Sequence, residues 1–280
     1  MSAAALAVPR AASEPLVDWA RGRRLLVLTG AGCSTASGIP EYRDENGGWK
    51  NRPPVQFADF VASDRVRRRY WARSLVGFAR MAGARPNPAH LGLARLEEAG
   101  VVRSVVTQNV DGLHQRAGSR AVLDLHGRID RVVCLECGGH VSRADLQELL
   151  TLWNPRYTGL AAGAAPDGDA LLEGDFSDFR LPSCPCCGGI LKPDVVLFGE
   201  NVPRSRVDTV LAAIAAADAL LVVGSSLMVF SGYRFCLAAR AIGKPVAAIN
   251  RGKTRADELF EMKVEEDCGA ALAKLAAALA

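Results

Sequence analysis

The 280-residue chain is 49% apolar and carries a net charge of +4, from 34 Lys and Arg against 30 Asp and Glu. This length suits a sizeable core in one large domain with a smaller insertion, and so mild a basic excess is not typical of a nucleic-acid-binding protein. Its apolar stretches are too short for a membrane span, and the N-terminal MSAAALAVPRAASEP lacks the charged start of a secretory signal.

Apolar strand-like runs alternate with helical patterns along most of the chain. The strand-like runs are residues 23–32, 102–109, 219–226 and 244–250, and the helical patterns are residues 89–100, 206–218 and 232–243. This alternation is typical of a parallel sheet covered by helices on both faces. Ligands of such sheets bind beyond the carboxyl ends of the strands, so the polar residues there are the candidates for a site.

Two stretches interrupt this alternation. Residues 41–85 read as a loop followed by a long helix, and residues 128–192 hold two Cys-x-x-Cys pairs around a loop-like, Gly-, Ala-, Pro- and Asp-rich segment. We therefore predict a large parallel α/β domain from residues 14–40, 86–127 and 193–280. The two interrupting stretches, 41–85 and 128–192, are predicted to form a small domain.

A glycine loop, GAGCSTASGIPEYR (30–43), follows the first strand-like run. Gly30 and Gly32 allow a tight turn and close approach to a pyrophosphate, which backbone N–H groups and the start of a following helix would hold. Position 35 is Thr where the usual fingerprint has a third glycine, and no acidic residue ends a second strand about twenty residues later. The loop favours nucleotide binding over a purely structural turn, but fits an ordinary dehydrogenase poorly.

Four of the eight cysteines have the spacing of a metal site. They are Cys134, Cys137, Cys184 and Cys187. Two such pairs predict a closed, structural tetrahedral zinc site in a reducing compartment. Cys186 is expected to be a bystander, and His140 could compete for the metal. Because the cysteines indicate a reducing compartment and no secretory signal is predicted, we expect a bacterial-type cytoplasmic location, with the mitochondrial matrix second.

Polar residues stand where several strands are predicted to end. Gln108, Asn109 and Asp111 follow one buried strand, His126 lies in an LHG segment, and GSS (224–226) ends a later strand. Buried polar groups without partners are costly, so a bound polar ligand is a reasonable explanation. Each motif alone could also be a turn or a cap. Because four thiolates complete a zinc site, His126 is not needed as a metal ligand.

Taken together, these motifs resemble the sirtuin family. In chain order they are GAGCSTASGIPEYR, TQNVDGLH, LHG, the cysteine pairs, KPDVVLFGE (192–200), GSSLMV (224–229) and Ile249–Asn250. The resemblance covers most of the chain, and GIPEYR, RYWAR, PNPAH and GSSLMVFSGYR are most similar to the class II group. It implies an α/β fold with a Rossmann-like parallel-sheet large domain and a small zinc-binding domain formed by insertions.

The resemblance also implies an NAD-dependent protein-lysine deacetylase or deacylase, with NAD as co-substrate, one structural zinc ion and acyl-lysine proteins or peptides as partners. We expect no nucleic-acid or membrane partner. The residues that would contact NAD are Gly30, Ala31, Gly32, Tyr42, Arg43, Gln108, Asn109, Asp111, Gly224, Ser225, Ser226, Asn250, Arg251, Gly252 and Cys268. The run Val195, Val196, Leu197, Phe198 and Gly199 matches the strand beside which the substrate peptide lies.

His126, Asn109 and Asp111 match the catalytic residues of the family. Asn109 and Asp111 would orient nicotinamide for departure from the ribose, and the substrate's acyl oxygen would capture the ribose carbon as an imidate. A neutral His126 imidazole can then take a proton from a ribose hydroxyl. The products implied are nicotinamide, free lysine and an O-acyl-ADP-ribose.

Tyr70 and Arg73 lie in the basic run DRVRRRYWARS (64–74) and should share one helix face. They resemble the Tyr-x-x-Arg pair with which some sirtuins receive an acidic acyl group, because guanidinium suits a carboxylate. This would predict activity on acidic or branched acyl-lysines beside weak deacetylation. A solvated basic face is the alternative interpretation.

Three other functions stay open on the sequence. Mono-ADP-ribosyl transfer would use the same cleavage of NAD with a protein nucleophile. A non-catalytic NAD-sensing zinc scaffold is disfavoured because His126, Asn109 and Asp111 are all present. A nicotinamide dehydrogenase is the weakest alternative, since the third glycine and the acidic ribose partner are missing.

Overall fold

The computed structural model describes residues 14–44, 46–50, 54–164 and 168–280. The N-terminal segment considered above for a targeting signal lies almost wholly outside them. The strands are β1 (Leu25–Thr29), β2 (Val102–Thr107), β3 (Val122–Asp124), β4 (Gly127–Cys134), β5 (His140–Ser142), β6 (Gly163–Ala164), β7 (Ala170–Leu171), β8 (Leu191–Val195), β9 (Ala219–Val223), β10 (Val246–Ile249) and β11 (Met262–Val264). The helices are α1 (Glu14–Ala20), α2 (Phe57–Ala62), α3 (Asp64–Gly83), α4 (Pro88–Glu98), α5 (Leu113–Arg116), α6 (Arg143–Trp153), α7 (Arg204–Ala216), α8 (Phe230–Ala241) and α9 (Cys268–Leu279).

Six strands form one parallel sheet in the order β11-β10-β9-β1-β2-β3. The register aligns Thr29 at the end of β1 with Thr107 of β2 and Val223 of β9. Val223 in turn pairs with Ile249 at the end of β10. The residues that follow these four strands therefore meet at one edge of the sheet, as the sequence pattern predicted.

Helices cover both faces of this sheet. The apolar cluster on one face joins β1 and β2 to α1, α4 and α9, and the cluster on the other joins β1 and β9 to α7 and α8. The five residues of β1 are all buried, as are the five of β9. This explains why these strands are continuously apolar, and it confirms the predicted Rossmann-like α/β domain.

The stretches that interrupt the strand–helix alternation pack together. β5, β4 and β8 form an antiparallel sheet, whose core includes Val132 and Leu191 together with Trp71 from α3 and Leu150 from α6. The small sheet is tied directly to the large one, because only Leu125 and His126 separate the end of β3 from the start of β4. Zinc-binding and large-sheet elements are thus connected through the segment that carries His126.

The residues at the start of α4 fix the position of the glycine loop. The Asn87 side chain accepts the Ala89 N–H at 2.8 Å, and Pro88 stands in the first turn. The Asn87 amide also donates to the Cys33 carbonyl at 2.9 Å and to the Ser37 hydroxyl at 3.0 Å. The PNPAH motif therefore fixes both a helix start and the position of the loop opposite it.

Two details differ from the sequence prediction. The glycine loop continues into 3₁₀ turns at Ala31–Cys33 and Thr35–Ser37, where an α-helix start was expected. β8 ends at Val195, so residues 196–199 are not part of a strand; only Phe198 makes an isolated bridge, with Gln56. The chain turns here because the Leu197 N–H is bonded by the Glu200 carboxylate and Gly199 has a φ of +79°.

Among the residues described, none of the helices combines the length and the apolar character needed to cross a membrane.

Candidate active site

A cavity of about 620 Å³ opens at the carboxyl edge of the large sheet, between it and the small sheet. It brings together most of the predicted site residues: Gly30, Ala31, Gly32, Tyr42, Arg43, Tyr70, Gln108, Asn109, Asp111, His126, Val195, Val196, Leu197, Phe198, Gly199, Gly224, Ser225, Ser226, Asn250, Arg251 and Cys268. Gly252 and Arg73 are not among the described residues that line it. Such a volume is in the range of small-molecule and cofactor sites.

The turns that follow β1 and β9 pack backbone against backbone at this edge of the sheet. A Cβ on Gly30 would lie 2.7 Å from Ser225 Cβ and 2.9 Å from the Gly224 carbonyl oxygen, and one on Gly224 would lie 2.4 Å from the Cys33 nitrogen. Gly224 also has a φ of +60°. These glycines are required for the two turns to touch.

The N–H groups of the glycine loop are largely used within the protein. Those of Gly30 and Gly32 donate to the Val223 and Gly224 carbonyls at 3.0 and 2.9 Å, and those of Cys33 and Ser34 close the 3₁₀ turn. These four N–H groups have partners within the chain and no α-helix starts here, so phosphate binding by this loop stays a prediction. The glycines serve mainly to bring two ligand-facing turns together.

Ser34 links two of the polar residues that follow β2, Asn109 and Asp111. Its hydroxyl donates to Asp111 Oδ2 at 2.7 Å and accepts from Asn109 Nδ2 at 2.9 Å. Asn109 Nδ2 also donates to the Gly30 carbonyl at 3.0 Å, and Asp111 Oδ1 accepts the Leu113 N–H at 2.9 Å. The amide and the carboxylate are thus held in fixed positions on the cavity wall before any ligand binds.

Gln108 joins three of the strand ends. Its side-chain nitrogen donates to the Ser225 hydroxyl at 2.8 Å and to the Thr29 carbonyl at 3.2 Å. Its backbone carbonyl accepts a hydrogen bond from His126 Nδ1 at 2.9 Å. Gln108 therefore couples the position of the histidine to the loops after β1 and β9.

The contacts of His126 determine which nitrogen carries the proton. A carbonyl oxygen can only accept, so Nδ1 donates to Gln108 and Nε2 is the unprotonated nitrogen. The Ser231 hydroxyl lies 2.8 Å from Nε2 and donates to it. Burial, opposed by the hydrogen bond to Gln108 and aided by the charges of Arg206 and Arg234, lowers the pKa of His126 to about 4. A neutral imidazole with its basic nitrogen in the cavity can accept a proton.

The four predicted zinc cysteines lie together in the small domain. Their Sγ atoms are within 4.8 Å of one another, with Cys134–Cys187 at 3.5 Å and Cys137–Cys184 at 3.7 Å. A tetrahedral zinc site with Zn–S bonds of about 2.3 Å has sulfurs about 3.8 Å apart. The cluster therefore fits a closed structural zinc ion.

The two cysteine pairs sit on matching turns. The N–H of Cys134 bonds the Gly139 carbonyl, and the N–H of Cys184 bonds the Gly189 carbonyl, both at 2.9 Å. His140 does not join the cluster: it lies in β5 with Nε2 3.9 Å from Asp194. Cys186 is not one of the four clustered cysteines, in agreement with its expected role as a bystander.

Tyr70 and Arg73 do not face the cavity together. Tyr70 lines it, packed edge-on against Phe60, whereas Arg73 Nε donates to the Ala170 carbonyl at 2.8 Å and lies 3.8 Å from Asp169 Oδ2. The structure therefore brings Tyr70, but not Arg73, to the cavity wall, and a role of the pair toward an acyl group stays a prediction. Asp169 and Ala170, which are distant in sequence, cover the Arg73 guanidinium. Helix periodicity alone could not indicate this contact.

Comparison with known proteins agrees with this geometry. The Sir2 family model matches residues 30–231. The chain belongs to the Sir2 family. It is 59% identical over 253 residues to an NAD-dependent protein deacetylase of Bordetella bronchiseptica, which covers 90% of this chain and 92% of that protein.

Two further matches extend the range of Sir2 relatives. The bovine protein named NAD-dependent protein lipoamidase sirtuin-4, mitochondrial, is 50% identical over 251 residues, 88% of this chain and 80% of its own. A solved structure of Sir2 with a p53 peptide and NAD+ has a TM-score of 0.75 at 28% identity, covering 94% of this chain and 96% of that one. The finer assignment to class II stays a prediction.

Sequence reasoning missed two side chains of this Sir2-family site. Ser34 follows GAGC directly and Ser231 stands in FSGYR, and both line the cavity. Their partners, Asp111 and His126, are 77 and 105 residues away in the chain. The only sequence signal was that each serine lies inside a motif already of interest.

Proposed function

We propose that this protein is an NAD-dependent protein-lysine deacylase, acting on acetyl-lysine and other acyl-lysines. The observation that carries the proposal is that His126, Asn109 and Asp111 line the same cavity as the touching turns of Gly30 and Gly224. The deacetylase named in Bordetella bronchiseptica supports it. The reaction would consume NAD, an acyl-lysine and water, and would yield nicotinamide, lysine and an O-acyl-ADP-ribose.

In this proposal NAD lies across the strand ends, with the adenosine near Ser225, Ser226, Asn250, Arg251 and Cys268. Asn109 and Asp111, held by Ser34, orient the nicotinamide end. Because these groups are fixed by hydrogen bonds before binding, little ordering remains when the substrate enters. NAD supplies a cleavable glycosidic bond and the ribose that receives the acyl group.

His126 acts as the general base. Its Nδ1–H bond to Gln108 keeps the neutral tautomer with Nε2 facing the cavity. A ribose hydroxyl that replaces Ser231 at Nε2 can then give up its proton as it attacks the acyl carbon. In this proposal the acyl-lysine peptide lies along residues 195–199 and enters the cavity beside Phe198.

The four cysteines hold one structural zinc ion, away from the reacting groups. Acyl-lysine proteins or peptides are the partners we propose, and the cysteine usage supports a reducing compartment such as the bacterial cytoplasm. The name of the bovine relative makes lipoyl-lysine an acyl group worth testing.

Product analysis tests the proposed function against mono-ADP-ribosyl transfer. The purified protein is incubated with NAD and an acetyl-lysine peptide, and the products are identified by mass. We expect equal amounts of nicotinamide, deacetylated peptide and O-acetyl-ADP-ribose, with no reaction when NAD is omitted. ADP-ribose attached to protein, with the acetyl group left on lysine, would favour the transferase instead.

The pH dependence of the reaction should reflect the buried histidine. Because the neutral form of His126 is the base and its pKa is lowered to about 4, activity should persist well below the ordinary histidine pKa of about 6.5. The measurement is kcat/KM for an acetyl-lysine peptide across the acidic range. An acidic limb centred near pH 6.5 or above would contradict this assignment.

A further inference from the structure

One end of the cavity is apolar and lies against α3. Its lining there comprises Ile39, Tyr70, Met81, Val110 and Val195. Ile39 and Met81 belong to a small apolar cluster that joins the glycine loop to α3 and β4, and Val110 and Val195 pack against that cluster. If the protein is a deacylase, as proposed, this end receives the acyl chain while His126 and the NAD residues occupy the rest.

Tyr70 and Met81 belong to one stripe of α3. Positions 70, 73, 77 and 81 are three or four residues apart and so lie along one face of the helix. Its two ends line the cavity, but its middle, Arg73 and Gly77, is covered. We call the covering segment, residues 168–171, the strap.

The strap packs on α3 at backbone distance. A Cβ on Gly77 would lie 2.3 Å from the Gly168 carbonyl oxygen and 2.4 Å from the carbonyl carbon of Asp169. A Cβ on Gly168 would lie 3.3 Å from Met81 Cε. Gly77 therefore allows the strap to run across the helix immediately beside a residue of the cavity wall.

Asp169 places a buried carboxylate beside the Arg73 guanidinium. Their side chains are 1% and 15% exposed, Nε lies 3.8 Å from Oδ2, and the same Nε donates to the Ala170 carbonyl. Arg143 is a second, fully buried guanidinium nearby; burial lowers its pKa to about 10, and Tyr70 and Asp169 oppose this effect. The strap thus supplies an internal anion to a basic cluster behind the acyl end.

We propose that Asp169 determines the acyl specificity of this site: by pairing Arg73 from within the chain, it withholds that guanidinium from the substrate, so that neutral acyl groups are favoured over acyl groups ending in a carboxylate. An acyl group ending in a carboxylate would have to displace Asp169 from Arg73. The Asp169 carboxylate would then stay buried beside a second anion, which is unfavourable. Releasing Arg73 would provide the fork that carboxylates prefer.

The test compares two peptides of identical sequence, one with butyryl-lysine and one with succinyl-lysine. These acyl groups differ only in a terminal methyl against a carboxylate. The wild type should prefer butyryl by about tenfold or more in kcat/KM, and Asp169→Asn should shift the succinyl-to-butyryl ratio upward by about tenfold or more, the size expected for a charge-assisted hydrogen bond.

Two further variants separate specificity from folding. Asp175→Asn removes an exposed carboxylate elsewhere in the small domain and should leave the succinyl-to-butyryl ratio unchanged. Asp169→Asn combined with Arg73→Gln should lose the gain on succinyl-lysine, because the released guanidinium is gone. Thermal unfolding of each variant shows whether the strap still folds.

Each outcome decides the proposal. A wild type that prefers succinyl-lysine would overturn it, even if Asp169→Asn failed to fold. So would a folded Asp169→Asn protein with an unchanged ratio, or a gain that persisted without Arg73. If the wild type removed neither acyl group in an NAD-dependent reaction, the proposed function itself would fail, which is a different result from a changed preference.

Discussion

His126→Ala is expected to lower kcat for NAD-dependent deacetylation by roughly 10²- to 10⁴-fold, the usual contribution of a positioned general base. The imidazole is the base that Gln108 orients with Nε2 toward the cavity. Its removal leaves Asn109, Asp111 and the glycine turns in place, so NAD affinity should change little. The measurements are O-acetyl-ADP-ribose formation and NAD binding by calorimetry.

His140→Ala is the matched control for this change. His140 is exposed, lies in β5 of the small sheet and contacts only Asp194 among the charged groups identified near it. Its replacement should leave kcat within about twofold, as is usual for exposed positions. Equal losses in both variants, or full activity in His126→Ala, would contradict the role assigned to His126.

Cys134→Ala is expected to abolish stable zinc binding and to unfold the small domain. Folding of small zinc modules depends on metal affinities worth about 10–16 kcal/mol, so the loss of one thiolate is severe. β4 runs from Gly127, next to His126, to Cys134. Disorder in this strand should therefore remove activity as well, although none of the four clustered cysteines is among the described residues that line the cavity.

Cys186→Ala provides the comparison, because Cys186 is an exposed cysteine between two of the ligands. It should keep one zinc ion per chain by elemental analysis and an unchanged thermal midpoint. Cys134→Ala should show less than one zinc ion and a lower midpoint or a separate early transition. Full zinc content and stability in Cys134→Ala would disprove a four-thiolate site.

The large sheet could be predicted because its signals are local. The apolar runs of β1 and β9 are typical of strands buried on both faces, and the polar residues after them mark the carboxyl edge. The zinc cluster was similarly accessible, because two Cys-x-x-Cys pairs leave few alternatives. The structure confirms the parallel sheet and brings the four cysteines together in an arrangement that fits zinc.

The features that could not be predicted depend on contacts between distant segments. Nothing near Arg73 in the sequence indicates that Asp169, 96 residues away, would pair with it. The end of β8 at Val195 is set by Glu200 and Gly199, and the 3₁₀ turns after Gly30 are set by contact with Gly224. The domain boundaries and the roles of individual site residues stay predictions until variants are measured.

The fate of the acyl oxygen tests the central claim most directly. An acetyl-lysine peptide labelled with ¹⁸O in the acetyl carbonyl is treated with the protein and NAD in unlabelled water, and the ADP-ribose product is analysed by mass. Transfer through the acyl oxygen predicts that the ¹⁸O is found in O-acetyl-ADP-ribose, on the ribose carbon that lost nicotinamide. Labelled free acetate together with unlabelled ADP-ribose would show simple hydrolysis and would contradict the account.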